Sequence, residues 1–185
     1  MVSNKGIEVK SMVYMALMVA LICVCAWISI PAPPPLVPFT LQTFAIFVVS
    51  GLFGWKKSGI ILCVYVLLGM VGLPVFTQFK GGVGAIVGPT GGYIVGFVLQ
   101  AVVTGLMIEK LGNKTITMAI AMIVGLAVCY AFGTAWFVVV YTSTKGAMTV
   151  GAALLMCVVP YLIPDFVKMV VAITVVKAVS KQLKL

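Results

Sequence analysis

The sequence predicts an all-α integral membrane protein in which residues 1–185 form a single bundle of six transmembrane helices. Hydrophobic residues make up 63% of the chain and charged residues only 8%, whereas a soluble domain carries about a quarter charged residues. The mean hydropathy is +1.28. Clusters of proline, glycine and lysine divide the apolar sequence into segments of roughly bilayer-spanning length. We therefore expect a multi-pass protein of the cell membrane.

A proline cluster separates the first two predicted spans. No charged residue occurs between Ser11 and Trp55, and the sequence PAPPPLVP at 31–38 interrupts this stretch. Because consecutive prolines cannot continue a helix, we expect one span on each side of the cluster. The sequence WKKS at 55–58 then predicts a turn before a shorter apolar segment. The first three predicted spans therefore cover residues 12–30, 39–54 and 59–71.

The second half contains a glycine-rich loop and three more predicted spans. Residues 71–92 carry too many glycines for a lipid-facing helix, and irregular backbone at membrane depth needs a cover of protein or water. We predict a loop at 142–146, where the sequence reads TSTKG, and a short interfacial helix at 147–158. Pro164 is suited to the first turn of the last span. The remaining predicted spans cover residues 93–108, 116–141 and 164–180.

The distribution of lysines predicts the orientation in the membrane. The net charge is +9, and all 12 cationic residues are lysines. Six spans place both termini on one side, where most lysines also fall, against only Lys80 and Lys145 on the other side. Because lysines accumulate on the cytoplasmic side, we predict cytoplasmic termini and an external glycine-rich loop. The lysines on the predicted cytoplasmic side are Lys5, Lys10, Lys56, Lys57, Lys110, Lys114, Lys177, Lys181 and Lys184.

The composition argues against an enzyme, a metal site, a bound cofactor and nucleic-acid binding. The chain has no histidine, so a Ser/His/Asp or Cys/His catalytic set is absent. Two of the three acidic residues, Glu8 and Glu109, are predicted on the face opposite Asp165, which excludes a carboxylate pair. The cysteines lie in apolar segments without paired CxxC spacing. The lysines show no interleaving with aromatic residues that would indicate a nucleic-acid surface.

The clearest functional signal is the pair Asp165 and Lys168, in the sequence IPDFVK at 163–168. Both residues interrupt the apolar run 146–176, and ionisable residues inside membrane segments usually mark a functional site. Their spacing of three places them on one helix face. In a purely structural interpretation, Asp165 caps the last span and Lys168 extends to the surface. A lysine near a helix N-terminus opposes the helix dipole, which favours the functional interpretation.

Three further motifs supply candidate residues. GPTGGY, which contains Thr90 and Tyr93, lets backbone approach a ligand closely, although a packed re-entrant turn is the structural alternative. Lys80 is the only charge in the glycine-rich segment, and Gln42 lies at the mouth of span 2. In span 1, the alanines at 16 and 20 form the small-xxx-small pattern that allows close helix approach.

These segments together resemble the BioY family, the biotin-specific substrate-binding (S) components of energy-coupling-factor (ECF) transporters. The resemblance implies a six-helix bundle with an outward-facing biotin site. It implies a transmembrane coupling subunit and two ATPase subunits as partners, and leaves open whether the chain also works without them. The blocks that carry the resemblance are VPFTLQTFAIFVVSGLFG at 37–54, VGLPVF at 71–76, GGVGAIVGPTGGYIVGF at 81–97 and PYLIPDFVKMVVA at 160–172.

The resemblance also implies roles for individual residues. The biotin site would comprise Asp165 and Lys168 in the last helix and Lys80 in the glycine-rich loop, with Tyr93 beside it. Asp165 would accept from the ureido N–H groups, Lys168 would donate to the ureido oxygen or hold Asp165 ionised, and Lys80 would pair with the tail carboxylate. The resemblance further implies that Ala16 and Ala20 contact the coupling subunit.

Three other functions remain open from the sequence. The first is an S component for another vitamin, although PDFVK and GPTGGY argue against it. The second is a self-sufficient secondary transporter coupled to protons through Asp165. The third is a membrane scaffold without a small-molecule ligand, which would leave the Asp165 and Lys168 pair without an explanation.

Overall fold

The computed structural model of the chain describes residues 9–31 and 37–182, and this part is almost entirely helical. Four of its helices are long and apolar enough to cross a membrane, and a bent pair of helices near the C-terminus forms a fifth candidate span. The protein is therefore a multi-pass membrane protein. The helices are α1 (Val9–Trp27), α2 (Gln42–Met70), α3 (Val83–Val87), α4 (Gly91–Leu111), α5 (Thr115–Lys145), α6 (Val150–Cys157) and α7 (Val159–Gln182).

Helix α2 is folded back on itself at Gly54. This residue has φ +65° and ψ −178°, a backbone conformation that glycine adopts without steric cost. The hydroxyl of Ser58 donates to Val49 O at 3.1 Å, and Gln42 Nε2 lies 2.8 Å from Tyr65 Oη. A straight helix would separate Gln42 from Tyr65 by about 35 Å. The two halves of α2 are therefore antiparallel, which confirms the predicted break, one residue before WKKS.

Helix α4 packs closely against this helical hairpin. A Cβ atom placed on Gly105 would lie 2.6 Å from Trp55 N and 2.7 Å from Gly54 C, so only glycine fits against the hairpin turn. The Trp55 N–H donates to Glu109 Oε1 at 3.2 Å, one helical turn further along α4. The backbone contact and the hydrogen bond together hold the hairpin turn against α4.

The glycine-rich segment is irregular, as predicted. It contains a 3₁₀ turn at Thr77–Phe79 and the short helix α3. Gln78 and Phe79 both have positive φ values, of 60° and 57°. A two-stranded antiparallel pair, β1 (Ser29–Ile30) with β2 (Phe39–Thr40), flanks the proline cluster and was not predicted. Residues 32–36 of the cluster, like Lys5, Glu8 and Lys184, lie outside the described residues.

Two predicted boundaries are wrong. Helix α5 continues to Lys145, so residues 142–145 of the predicted TSTKG loop are helical. The helix ends at Gly146, where φ is +110°. Helix α7 begins at Val159, and Pro164 lies inside it rather than in its first turn. Pro164 removes one backbone donor, the one that would bond the carbonyl of Pro160, and the helix tolerates this loss. Asp165 therefore does not cap α7, since the first turn contains no acidic residue.

Candidate functional site

Asp165 and Lys168 form a buried ion pair on α7. Lys168 Nζ lies 2.7 Å from Asp165 Oδ1, and the two side chains are only 8% and 4% exposed, respectively. The sequence predicted that a spacing of three would bring them onto one face, and the structure confirms this. Burying a charged pair costs free energy unless further hydrogen bonds satisfy both groups. The other hydrogen-bond partners of Asp165 and Lys168 therefore determine whether the pair is stable there.

The start of α2 and the strand before it supply several of these partners. Thr43 Oγ1 donates to Asp165 Oδ1 at 2.8 Å and accepts from Lys168 Nζ at 3.1 Å. Lys168 Nζ also donates to Thr40 O at 2.6 Å. The ammonium group has three donors, and these contacts use all of them. The aromatic face of Phe39 lies 4.0 Å from Nζ, close enough for a cation–π interaction.

Helix α5 contributes a further contact to the pair. The Tyr130 hydroxyl donates to Asp165 Oδ2, so the carboxylate is held at both oxygens. The ion pair thus connects α7 with α2 and α5. Each charge is paired and hydrogen-bonded, which is how a protein keeps ionised groups buried.

Two cavities lie beside this network. The larger has a volume of about 380 Å³ and is lined by the glycine-rich segment, the start of α2 and α4. The smaller, of about 60 Å³, is lined by Asp165, Lys168 and Tyr130. Five residues line both cavities, so the two adjoin: Val37, Pro38, Thr40, Tyr93 and Phe97. A volume near 400 Å³ is in the range of sites that bind small organic ligands.

Comparison with known proteins places the chain in a family. The profile of the BioY family matches residues 1–185. This chain belongs to the BioY family. It is 40% identical over 172 residues to the biotin transporter BioY of Thermotoga maritima, covering 93% of this chain and 96% of that protein. It is 34% identical over 168 residues to a probable biotin transporter BioY of Pyrococcus horikoshii, covering 91% and 94% of the two chains.

The fold of this BioY-family chain is also that of a solved structure. The crystal structure at 2.1 Å of the S component for biotin from an ECF-type ABC transporter aligns with a TM-score of 0.85. The alignment covers 98% of this chain and 95% of that one, with 24% sequence identity. The two proteins therefore share a fold over nearly their whole length.

The six residues predicted to bind the substrate all line at least one of the two cavities. Gln42, Lys80, Thr90 and Tyr93 line the larger cavity, whereas Asp165 lines the smaller one together with its partner lysine. Tyr93 is the only one of these predicted residues that lines both cavities. The structure thus divides the predicted site into two adjoining parts.

The predicted residues differ in their freedom to bind a ligand. Gln42 is 3% exposed, and its side chain bonds Tyr65 at 2.8 Å and the Thr77 hydroxyl at 3.0 Å. Tyr93 shares a hydrogen bond of 2.9 Å with Thr134. In contrast, Lys80 is exposed at the cavity. Gln42 therefore holds the loop in place, and Lys80 is available to an anionic group.

The sequence did not predict two of the three tyrosines that line the smaller cavity, Tyr130 and Tyr161. Tyr130 contacts Asp165, and the Tyr161 hydroxyl donates to Val37 O. A signal for Tyr130 was present, because a tyrosine in the middle of an apolar span needs a partner for its hydroxyl. That signal does not identify the partner, which is 35 residues further along the chain.

Ala16 and Ala20 lie on the outer surface of α1. Both are exposed, and neither lines either cavity. Their spacing of four places them on one helix face. The alanines therefore form a strip on the outside of the bundle, separate from the candidate ligand site.

Proposed function

We propose that this chain takes up biotin across the cell membrane, as the high-affinity substrate-binding component of an ECF-type transporter. The observation that carries the proposal is the buried Asp165–Lys168 pair, with the carboxylate hydrogen-bonded at both oxygens, beside a cavity of about 380 Å³. Membership of a family whose relatives are named biotin transporters supplies the ligand. An ion pair that serves only stability is often replaceable by apolar residues, so recognition is the better explanation for it.

The helical hairpin of α2 supports a topology with six membrane crossings. We count each half of α2 as one crossing and the bent pair α6–α7 as another, which together with α1, α4 and α5 makes six crossings in the single domain proposed for residues 1–185. An even number of crossings places both termini on one side, and the lysines at that end place it in the cytoplasm. The glycine-rich segment and the cavities then face the exterior, where the vitamin is captured.

The chemistry of biotin matches the polar groups around the cavities. Its ureido ring has two N–H donors and one carbonyl acceptor, its thiophane ring is apolar, and its tail ends in a carboxylate. We assign Asp165 to the ureido N–H and Lys80 to the tail carboxylate. The three donors of Lys168 already have partners, so we assign it the role of counter-charge to Asp165. Tyr93 and Phe97 supply aromatic surface for the ring system. Gln42 and Thr90 complete the polar lining.

The energetics permit tight binding. Hydrogen bonds to charged groups contribute about 1.5–3 kcal/mol each, and a nanomolar dissociation constant corresponds to about −12 kcal/mol. Two or three such bonds, together with burial of the apolar ring, reach this value. High affinity thus needs no covalent or metal chemistry.

Titration calorimetry of biotin into the detergent-purified chain tests the function. We expect one site with a dissociation constant in the nanomolar range, and no heat from thiamine or riboflavin under the same conditions. Binding of another vitamin in place of biotin would reassign the ligand. If no vitamin binds, the protein is not an S component and the scaffold hypothesis takes its place.

Lys80 is expected to select ligands with an anionic tail. Lys80→Gln removes the charge at the larger cavity but keeps a polar side chain, so biotin should bind about tenfold more weakly. Biotin amide, whose tail is neutral, should bind both proteins equally. Competition binding with the two ligands measures the effect. An equal loss of affinity for acid and amide would show that Lys80 acts on the loop and not on the carboxylate.

The exposed strip on α1 is expected to contact the coupling subunit. Ala16→Trp should abolish ATP-dependent uptake in cells that contain the coupling subunit and both ATPases, because a bulky side chain prevents close helix approach. Biotin binding to the purified variant should be unchanged, since the strip is remote from the cavities. Ala127→Trp makes the same change at an exposed position on α5 and should transport normally. Normal uptake by Ala16→Trp would place the interface elsewhere.

A further inference from the structure

The carboxylate of Asp165 has partners at three of its acceptor positions. Oδ1 accepts from Thr43 Oγ1 at 2.8 Å and from Lys168 Nζ at 2.7 Å, and Oδ2 accepts from the Tyr130 hydroxyl. An ionised carboxylate offers about four acceptor positions. Among the described residues, the fourth position has no donor. It is on Oδ2, the oxygen that Tyr130 contacts.

The Asp165 side chain lies at the smaller cavity. Asp165, Thr43 and Tyr130 all line that cavity, which adjoins the larger one through shared lining residues. Its volume of about 60 Å³, against about 380 Å³ for the larger cavity, leaves room for only part of a ligand. A ligand held mainly in the larger cavity would therefore present one donor group to Oδ2, beside the phenol oxygen.

The geometry gives Tyr130 a task that neither Thr43 nor Lys168 performs. Those two residues hold Oδ1 only, and hydrogen bonds at one oxygen leave the carboxylate some rotation about the Cβ–Cγ bond, since hydrogen-bond lengths and angles vary. The bond from Tyr130 to Oδ2 fixes the plane of the group. Tyr130 comes from α5, whereas Asp165 belongs to α7 and Thr43 to α2, so the orientation of the carboxylate depends on three separate elements.

We propose that Tyr130 is a positioning residue for ligand recognition. It orients the Asp165 carboxylate so that one acceptor position on Oδ2 faces the cavity and receives a ureido N–H of the ligand. This inference rests on the proposed function, because it assigns the donor to biotin. It adds that selectivity for a ureido N–H depends on a side chain of α5 as well as on the charged pair of α7.

The test is a comparison of biotin with its two carbamate analogues, in each of which a ring oxygen replaces one ureido N–H without adding bulk. The wild-type chain should prefer biotin over one of them by about tenfold or more, the difference made by one bond to a charged group. Compared with the wild-type chain, Tyr130→Phe should bind biotin about tenfold more weakly. Its affinity for the carbamate analogue that the wild type disfavours should be unchanged. The preference for biotin should therefore largely disappear in the variant.

Tyr141→Phe is the matched control. Tyr141 also lies on α5, where it stacks on Phe137 at 5.6 Å, and it lines neither cavity. This variant should keep the wild-type preference. A purely structural role of Tyr130 would weaken biotin and both analogues by the same factor, and that result, or loss of all binding, would overturn the inference.

The two proposals fail in different ways. If the wild-type chain does not bind biotin, the proposed function is wrong and this inference is wrong with it. If the wild-type chain binds biotin and Tyr130→Phe keeps the full preference over the carbamate analogues, only the role of Tyr130 is wrong.

Discussion

Asp165→Asn is expected to lower the affinity for biotin by about 100-fold or more. The substitution removes a charged acceptor, which contributes about 1.5–3 kcal/mol per hydrogen bond. It also leaves Lys168, whose side chain is 8% exposed, without its counter-charge. Breaking a buried pair by removing one partner costs about 3–5 kcal/mol, so the variant should also unfold at a lower temperature. Titration calorimetry and thermal unfolding of the purified protein measure the two effects.

A double substitution separates recognition from stability. Asp165→Asn combined with Lys168→Met removes both charges, and replacing a whole buried pair with residues of similar volume is often neutral for stability. The double variant should therefore regain much of the lost thermal stability and still fail to bind biotin. Wild-type affinity in either variant would contradict the assignment of the ligand site to this pair.

Gly105→Ala is expected to have the largest effect on the fold. The added methyl group would lie 2.6 Å from Trp55 N and 2.7 Å from Gly54 C. Both are backbone atoms of the hairpin turn, so no side-chain rotation relieves the contact. Overpacking of this kind costs about 1–3 kcal/mol, which for a chain of this length corresponds to a decrease of roughly 2–12 °C in the unfolding midpoint. The displaced turn should also weaken the bond between Trp55 and Glu109.

Gly151→Ala provides the control for that change. Gly151 lies in α6, and a Cβ atom there would meet nothing within 4 Å. Because alanine favours a helix over glycine by up to about 1 kcal/mol, this variant should unfold at the same temperature as the wild type or slightly above it. A midpoint for Gly105→Ala equal to that of Gly151→Ala would mean that the hairpin turn adjusts without cost.

Local sequence features predicted several parts of the structure correctly. The break between the second and third spans was predicted from WKKS, and the chain reverses at Gly54, one residue earlier. The irregular segment at 71–92 was predicted from its glycines, and the contact of Asp165 with Lys168 from their spacing. Each of these depends on residues close together in the chain, where the geometry of a helix or the conformational range of glycine decides the outcome.

Helix ends were predicted less well. The last helix begins at Val159 and not at Pro164, because packing and the preceding turn fix where a helix begins more strongly than the preference of one proline. Likewise α5 continues to Lys145 through polar residues that were expected to form a loop. The hydroxyls of Ser143 and Thr144 there donate to a carbonyl within the helix, Val140 O, at 2.9 and 2.8 Å.

The sequence by itself determined the class of protein, its division into apolar segments and the two residues at the centre of the candidate site. Hydropathy, glycine and proline content and helical spacing are local properties, so they can be read without coordinates. Only the tertiary structure decided which residues surround that pair. Thr43 bonds Asp165 across 122 residues of chain and Tyr130 across 35, because the packing of three helices brings them together and no local pattern encodes those distances.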